Sequence, residues 1–361
     1  MSIRINSISF LIIIFFSGVF IFPLFGLATV DLDTVQKVQI KKISDCEYFG
    51  GSVSLSNDTS VIGSIGCKSS SSSAYVLSRS DNFCWRQQAV LVPSDAVLHD
   101  WTISVSVSGD TAIVGTSGAA YIFIRSGTSW SEQAKLTAPD GNSNFGRSVA
   151  ISGDTVVVGG DDVYIFVRSG TSWTEQAKLT VTIPFPHWHR FVAISGNTVV
   201  IHRDGDATYI FVRSGTSWTE QAKLTPSDGG SGLRSVAISN DTVIVGGYDS
   251  AYIFVRSGTS WTEQAKLMPS GGDSGSGIFV AISVDTAIFS WGDSSYIFVR
   301  SGTSWSEQAK LTKPKTIWKP VSISEEIAVI IDNESALAYF YGDSCVQRGA
   351  LPASNFLLLK E

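Results

Sequence analysis

The sequence predicts an all-β fold, a seven-bladed β-propeller built from four-stranded antiparallel blades. A stretch close to "AYIFVRSGTSWTEQAKL" (251–267) occurs five times, and its tyrosine has two looser counterparts. The spacing between successive tyrosines is 43 to 46 residues, and the seven are Tyr75, Tyr121, Tyr164, Tyr209, Tyr252, Tyr296 and Tyr339. Only 16% of the residues are charged, and 33 are glycine, which is typical of many strands and turns. Four short strands repeated at this period are the pattern of a propeller blade.

The first element is an uncharged apolar segment, "FLIIIFFSGVFIFPLFGLA" (10–28), which follows Arg4. It ends in the small-residue pattern Gly26-Leu27-Ala28, so residues 1–28 are predicted to be a signal peptide cleaved near Ala28. The segment is also long enough to span a bilayer as an uncleaved anchor. In both cases the rest of the chain lies on the extracellular side.

The second element, residues 35–42, is predicted to close the ring. The segment "KVQIKKISDCEYFG" (37–50) aligns with "QAKLTAPDGNSNFG" (133–146), which leads into a blade. Residues 35–42 therefore read as an outermost strand without its own blade, and they complete the seventh blade. The segment "CVQRGAL" (345–351) is the alternative for that role. The propeller domain is predicted to span 29–351, followed by a tail at 352–361.

Each repeat contains four short β segments, called a to d from the axis outward. In one copy they are Val149–Ser152, Thr155–Val158, Tyr164–Arg168 and Trp173–Leu179. Val, Ile, Tyr, Phe and Thr dominate them, and Gly, Asp and Ser separate them. This order places the d→a and b→c connections at one end of the ring, the loop end. The a→b and c→d turns lie at the other end, the turn end.

The constant c–d hairpin is interpreted as scaffold. A two-residue turn places Arg256 opposite Trp261, where the guanidinium and the indole form a cation–π pair. A regular strand d would put Trp261, Glu263, Ala265 and Leu267 on one face. The alternative is a ring of five equivalent sites, since an exposed tryptophan suits sugar stacking. The other pairs are Arg125/Trp130, Arg168/Trp173, Arg213/Trp218 and Arg300/Trp305.

Three motifs carry a family resemblance: Phe145-Gly146, "SVAISGDTVVVGG" (148–160) and "YIFVRSG" (164–170). With them, residues 35–350 resemble FG-GAP repeat proteins, the seven-bladed propellers of integrin α-subunit heads and of many secreted microbial proteins. Phe49-Gly50 repeats the pair, whereas Trp101 and Trp188 stand at the phenylalanine position.

The a→b connection departs from the integrin pattern. Integrin-like blades often carry an Asp-rich calcium loop there, which needs several oxygen ligands. Here the connection is shortened to "SGDT", "SGNT", "SNDT" or "SVDT", a two-residue hairpin turn. Calcium binding is therefore not expected at these positions, and no cofactor is expected.

The fourth blade carries the candidate site of the sequence. Its d→a loop is "PFPHWHR" (184–190), and its b→c segment is "HRDGD" (202–206). Both belong to the loop end, so their polar side chains are expected to converge. Histidines and carboxylates in proximity can bind zinc or another transition metal, and the alternative is a polar rim with unrelated histidines. The candidate ligand-binding residues are His187, Trp188, His189, His202, Asp204 and Asp206.

Four cysteines in an extracellular chain predict disulfides. Of three possible connectivities, loop positions favour Cys46–Cys67 within the first blade and Cys84–Cys345 between the first and seventh blades. Three sequons, at Asn57, Asn240 and Asn333, are candidates for N-linked glycans.

These observations favour a binding function over catalysis. The net charge is −6 and no Lys/Arg cluster is visible, which argues against a nucleic-acid partner. No nucleophile elbow, HExxH, phosphate loop or repeated carboxylate pair appears. The sequence predicts a secreted or cell-surface, adhesion-type module for protein or glycan, which touches a membrane only through an uncleaved N-terminal segment. The alternatives are an extracellular hydrolase or lyase with its site at the loop end, and a structural coat protein.

Overall fold

The structure, a computed structural model, is an all-β propeller of four-stranded antiparallel blades. It describes residues 10–15, 18–23, 35–39, 46–67, 73–80, 84–95, 104–181, 190–203, 207–230, 232–270, 279–292, 294–312, 320–325, 327–332 and 337–341.

Six blades consist of four consecutive strands each. Blades 1 and 2 contain β4 (Cys46–Ser56), β5 (Thr59–Cys67), β6 (Ser73–Arg79), β7 (Trp85–Leu91), β8 (Ser104–Ser108), β9 (Thr111–Thr116), β10 (Ala119–Ser126) and β11 (Ser129–Leu136). Blades 3 and 4 contain β12 (Ser148–Ser152), β13 (Thr155–Gly159), β14 (Val163–Ser169), β15 (Ser172–Leu179), β16 (Arg190–Ser195), β17 (Thr198–Arg203), β18 (Thr208–Ser214) and β19 (Ser217–Leu224). Blades 5 and 6 contain β20 (Ser235–Ser239), β21 (Thr242–Gly246), β22 (Ala251–Ser257), β23 (Ser260–Leu267), β24 (Phe279–Ser283), β25 (Thr286–Trp291), β26 (Ser294–Ser301) and β27 (Ser304–Thr312).

A further four-stranded sheet, the closing sheet, joins the two ends of the chain. It has the strand order β28-β29-β30-β3, in which the last member is N-terminal. The register runs from Val35 opposite Tyr341 to Gln39 opposite Leu337. The N-terminal strand thus takes the outermost position, and the alternative segment 345–351 lies outside the described residues. The strands are β28 (Val321–Ser324), β29 (Ile327–Asp332), β30 (Leu337–Tyr341) and β3 (Val35–Gln39).

The apolar N-terminal segment forms a sheet of its own. Strands β1 (Phe10–Phe15) and β2 (Gly18–Pro23) pair as an antiparallel hairpin. In the parts of the chain that the structure describes, no helix has the length and apolarity needed to cross a membrane. Cleavage near Ala28 stays a prediction.

Serine hydroxyls accept hydrogen bonds from the backbone N–H groups of the inner strands. The axis-facing edge of each strand a has backbone N–H groups without a strand partner, and unpaired buried donors are costly. The hydroxyl of Ser106 accepts a hydrogen bond from the Ile151 N–H at 3.2 Å, and Ser322 accepts one from Leu55 at 3.0 Å. The second bond links the closing sheet to blade 1. The recurring serines of "SVAIS" therefore have a structural role.

The core lies between the blades rather than within them. Each of seven clusters of buried side chains joins two neighbouring sheets. Between the closing sheet and blade 1, for example, Val38 and Ile331 pack in one cluster with Phe49 and Tyr75. Because the two faces of a blade bury apolar side chains against two neighbours, a blade depends on the ring for its stability.

The Phe-Gly pair of the sequence motif acts as a plug between blades 2 and 3. The buried Phe145 ring lies edge-on to Tyr164, with centroids 5.3 Å apart. Gly146 has φ +96°, and a Cβ there would lie 2.2 Å from the Thr116 carbonyl oxygen. A Cβ at Gly115 would in turn lie 2.2 Å from the Gly146 oxygen. Phe49 meets Tyr75 in the same way, with centroids 5.6 Å apart.

Candidate functional site

Of the six residues in the sequence-predicted site, the structure describes one, His202. Strand β17 carries His202, whereas His187, Trp188, His189, Asp204 and Asp206 lie outside the described residues. Among the described residues, no group of three or more His, Cys, Asp or Glu side chains is arranged to hold a metal ion.

His202, a predicted ligand-binding residue, lies in the core. Its relative exposure is 0%. Nδ1 lies 3.0 Å from the Thr208 hydroxyl, and Nε2 lies 2.9 Å from the Leu233 carbonyl oxygen. Because a carbonyl only accepts, Nε2 carries the proton and Nδ1 accepts from Thr208. Both ring nitrogens are thus occupied, and the imidazole fastens blade 4 to the loop that enters blade 5.

That loop supports an exposed aromatic side chain on the loop end, which sequence reasoning missed. Tyr248 lies in the b→c loop of blade 5 and is 39% exposed. Its ring covers Gly232, where a Cβ would lie 1.9 Å from the ring. The Arg234 guanidinium lies 5.2 Å from the ring centroid. We call Gly232, Arg234, Tyr248 and Asp249 the Tyr248 platform.

The platform combines an amphipathic ring with an available positive charge. Arg234 is exposed, and no carboxylate among the described residues pairs with it. Asp249, the residue after Tyr248, is also exposed. An aromatic ring with charged and polar neighbours is typical of sugar and protein recognition. The available sequence signal was the tyrosine in "GGYDS" (246–250), because other b→c loops have small or polar residues there.

The constant c–d hairpin binds neighbouring blades to each other. The Arg168 guanidinium lies 5.5 Å from the Trp173 ring centroid, as predicted, and its Nε donates to Asp154 at 2.7 Å. Trp173 Nε1 donates to the side-chain amide oxygen Oε1 of Gln133 in the preceding blade at 3.0 Å. The other four predicted Arg–Trp pairs are also confirmed, with separations of 5.4 to 5.7 Å. These polar groups contact the neighbouring blade, which favours the scaffold interpretation over a ring of ligand sites.

The prediction that four side chains of strand d share one face is wrong, because the strand contains a β-bulge. In blade 5, Phe254 pairs with Glu263 and Ile253 pairs with Ala265, so Gln264 is the extra residue. The bulge switches Ala265 and Leu267 to the face opposite Trp261, and Leu267 becomes buried. The same shift occurs in blades 2, 3, 4 and 6.

Three carboxylates in d→a loops each accept hydrogen bonds from a tyrosine and a lysine of the next blade. We call these contacts clips. Asp140 accepts a hydrogen bond from the Tyr164 hydroxyl at 2.8 Å and one from Lys178 Nζ at 2.6 Å. The hydrogen bond from Lys178 is the main cause that lowers the pKa of Asp140, and burial raises the pKa of Tyr164 to about 12. The hydrogen bond from Lys266 lowers the pKa of Asp228 to about 2. Asp95 forms the third clip, with Tyr121 and Lys135.

The comparisons with known proteins agree with this architecture. Residues 130–163 and 218–258 match the model of a family described as "FG-GAP repeat". Both matches begin in strand d of one blade and continue to strand c of the next. Two segments of this β-propeller are therefore similar to FG-GAP repeats. A search of curated proteins finds no match.

A solved structure titled "Crystal Structure of Mitotic Checkpoint Complex" contains a chain of similar fold. The identity is 12% and the TM-score is 0.57, and the match covers 88% of this chain and 94% of that chain. An identity this low shows the shared fold alone.

Proposed function

We propose that this propeller with FG-GAP repeats is a secreted or cell-surface binding module of the adhesion type, and that its ligand is a protein or a glycan. The observation that carries the proposal is the Tyr248 platform, an exposed aromatic ring beside an arginine that pairs with no carboxylate among the described residues. The proposed binding surface is the loop end of blade 5, and the sequence-predicted loops at 184–190 and 202–206 are proposed to extend it to blade 4.

The contrast between constant strands and variable loops supports a binding role. Strands c and d are nearly identical in five blades, and their polar side chains are used in contacts between blades. The loop-end connections differ from blade to blade. A rigid frame that presents unlike loops at one end is the usual arrangement of a recognition module.

We also propose that the closing sheet is a seventh blade and that the ring is closed. The hydroxyls of Ser322 and Ser324 accept hydrogen bonds from Leu55 and Asn57, as equivalent serines do between other blades. The Cα positions of Cys46 and Cys67 are direct cross-strand partners, which supports the predicted Cys46–Cys67 bridge. The proposed Cys84–Cys345 bridge would then tie blade 1 to the closing sheet.

An extracellular location completes the proposal. It rests on the predicted signal peptide or anchor at 1–28. Asn57 and Asn240 are exposed in two-residue turns, which supports their assignment as glycan sites. Asn333 lies outside the described residues. Intact-mass and peptide mapping of the secreted protein tests cleavage, disulfides and glycans together.

The test is a glycan-array and surface-protein binding screen of the secreted chain, followed by variants. Tyr248→Ala and Arg234→Ala are expected to weaken binding to the best ligand at least about tenfold, since aromatic and arginine anchors dominate interfaces. The combined variant His187→Ala, Trp188→Ala, His189→Ala tests the sequence-predicted loop at 184–190, called the histidine loop. Val284→Ala, an exposed side chain at the turn end, is the matched control and should leave binding unchanged.

The outcomes separate the hypotheses. Unchanged affinity of the Tyr248, Arg234 and histidine-loop variants would refute the loop-end site. Turnover of an array glycan, lost in the histidine-loop variant, would instead support the hydrolase or lyase alternative. Absence of any ligand, together with ordered self-association, would support the coat-protein alternative.

A further inference from the structure

The Tyr248 platform presents a guanidinium that is held in place but is not used in contacts with carboxylates. Arg234 is exposed, and its side chain forms no hydrogen bond or ion pair with any described residue. Its contact is the cation–π pair with Tyr248, at 5.2 Å from the ring centroid. All five N–H donors of the guanidinium therefore remain available to a ligand.

The arginine of strand c in the same blade has a different environment. Arg256 donates from Nε to Asp241 at 2.7 Å and from Nη1 to Thr198 at 3.3 Å, and its Nη2 also donates to Asp241. Three of its five donors are thus occupied, and its charge is compensated within the blade. Arg256 therefore serves as the internal reference for Arg234.

The backbone that carries the platform is fixed by hydrogen bonds. The Arg234 N–H donates to the Gly246 carbonyl oxygen at 2.9 Å, which ties the d→a loop to strand b. The Leu233 carbonyl oxygen accepts from His202 Nε2 at 2.9 Å, which ties the same loop to blade 4. The Tyr248 ring in turn holds the guanidinium. A ligand does not have to order these groups on binding, which lowers its entropic cost.

The b→c loop of blade 5 differs from its counterpart in blade 3. The register of strands a and b aligns "GGDD" (159–162) with "GGYD" (246–249). Blade 5 therefore has Tyr248 where blade 3 has Asp161. The substitution replaces a carboxylate by an amphipathic ring, which Gly232 accommodates because it lacks a side chain.

We propose that the Tyr248 platform binds an acidic sugar, one that carries a carboxylate on its ring, such as glucuronate. The inference rests on the proposed function and names the ligand class of the same site. Two parallel N–H donors of the Arg234 guanidinium fit a carboxylate. The exposed part of the Tyr248 ring offers an apolar surface to sugar C–H groups, and the exposed Asp249 carboxylate accepts from sugar hydroxyls.

The three groups together favour a sugar acid over simpler ligands. A simple carboxylate, or an acidic side chain of a protein, uses Arg234 alone. A neutral sugar uses the Tyr248 ring and Asp249 but leaves the guanidinium unused. A ligand that combines a negative charge, hydroxyls and a C–H face in one residue uses all three groups.

The experiment uses the full secreted chain and four probes, namely glucuronate, its neutral amide glucuronamide, glucose and acetate. Binding is followed by the NMR shift of the Arg234 Nε–H group, and the Arg256 Nε–H group at the turn end is the reference that should not move. Glucuronate is expected to bind at least about tenfold more tightly than glucuronamide, the size of one charge-assisted contact. It should also bind more tightly than acetate, which lacks the sugar ring.

Variants of one exposed residue complete the test. Arg234→Gln is expected to weaken glucuronate binding at least about tenfold and to leave glucuronamide binding unchanged. Arg234→Lys keeps the charge but loses the two parallel donors, so its affinity should lie between those of the wild type and Arg234→Gln. Arg86→Gln, at an exposed arginine of strand d in blade 1, is the matched control and should bind glucuronate as the wild type does.

Several results would overturn the proposal. They are the absence of saturable glucuronate binding, equal binding of glucuronate and glucuronamide, and equal affinity of the wild type and Arg234→Gln. Equal binding of glucuronate and acetate would overturn the assignment to a sugar. If the wider screen yields a neutral glycan or a protein whose binding depends on Tyr248, the proposed function stands while this inference fails.

Discussion

Gly146 shows how much one backbone position contributes to the ring. Its φ of +96° and its approach to the carbonyl oxygens of Thr116 and Ala119 leave no space for a side chain. The phenylalanine before it fills the gap between blades 2 and 3. The pair therefore combines an apolar plug with a close backbone contact.

Gly146→Ala is expected to destabilise the protein by at least about 2 kcal/mol, because it adds a steric clash with backbone to an unfavourable φ. Chemical denaturation measures this free energy of unfolding. Gly170→Ala is the matched control, since Gly170 has φ +63° but open space around it. It should cost about 1 kcal/mol. Equal losses at the two positions would show that the contact at Gly146 is unimportant.

A second prediction for a single residue concerns Asp228 and its response to pH. Its pKa in the folded protein is about 2 against an ordinary 3.8, first because Lys266 donates a hydrogen bond to it. A lowered carboxyl pKa contributes stability above the ordinary value, and this contribution disappears as pH falls through the folded value. The stability that the clip contributes should therefore be complete above about pH 4 and decline between about pH 4 and 2, while the hydrogen bond itself breaks only as the pH falls through about 2.

NMR titration of the Asp228 carboxyl carbon checks this directly. The midpoint is expected near 2 in the wild type and closer to 3.8 in Lys266→Met. A wild-type midpoint at the ordinary value would contradict the hydrogen bond.

Among the elements, strand d shows how a β-bulge serves the contacts between blades. The extra residue in blade 4 is Gln221, because Phe211 pairs with Glu220 and Ile210 pairs with Ala222. The side chain of Gln221 accepts from Trp261 Nε1 of blade 5 at 2.9 Å. The bulge also returns Leu224 to the buried face, where it is 3% exposed.

Deletion of Gln221 is expected to reduce stability about as much as Gln221→Ala, whereas deletion of Lys223 is expected to reduce it much more. The substitution removes one hydrogen bond, worth about 1 kcal/mol. Deletion of Gln221 takes out the extra residue, so Ala222 stays opposite Ile210 and Leu224 stays on the buried face. Deletion of Lys223 instead moves Leu224 to the opposite face, which adds the loss of a buried leucine. Thermal unfolding compares the variants, and a Lys223 deletion no more harmful than Gln221→Ala would show that the facing of Leu224 does not matter.

The whole molecule depends on the contact between its two chain ends. Strand β3 pairs with β30, and Val38 is 8% exposed in a cluster that includes Phe49, Ile331 and Ala338. This cluster joins the closing sheet to blade 1. Opening this junction exposes the apolar faces of two sheets, so its effect extends beyond one strand.

Val38→Asp is expected to lower the Tm of the entire propeller by several degrees or more, because a buried unpaired carboxylate is costly. Val92→Asp is the control, since Val92 is 44% exposed. Differential scanning calorimetry compares them. If only the signal of the terminal strands changes while the main transition stays in place, the ring does not depend on this closure.

The sequence predicted the strands of the fold, whereas the histidine site stays a prediction, because five of its six residues lie outside the described residues. Strands a to d and the Arg–Trp pairs follow from short-range alternation and from turns of two residues, so they were found. Contacts over longer distances were not predictable: His202 bonds to Leu233, and Tyr248 covers Gly232. The burial of His202, which lies opposite Thr208, is a result of these contacts.

By itself, the sequence determined the repeat, the four strands of each unit and their order, because these depend on local alternation and on turns. The tertiary structure decided which side chains remain available. Asn197 differs little from aspartate in the sequence, but in the ring it accepts from Arg213, and no carboxylate among the described residues pairs with that guanidinium. The physical reason is that charge compensation and burial depend on residues that the propeller brings together from separate strands and neighbouring blades.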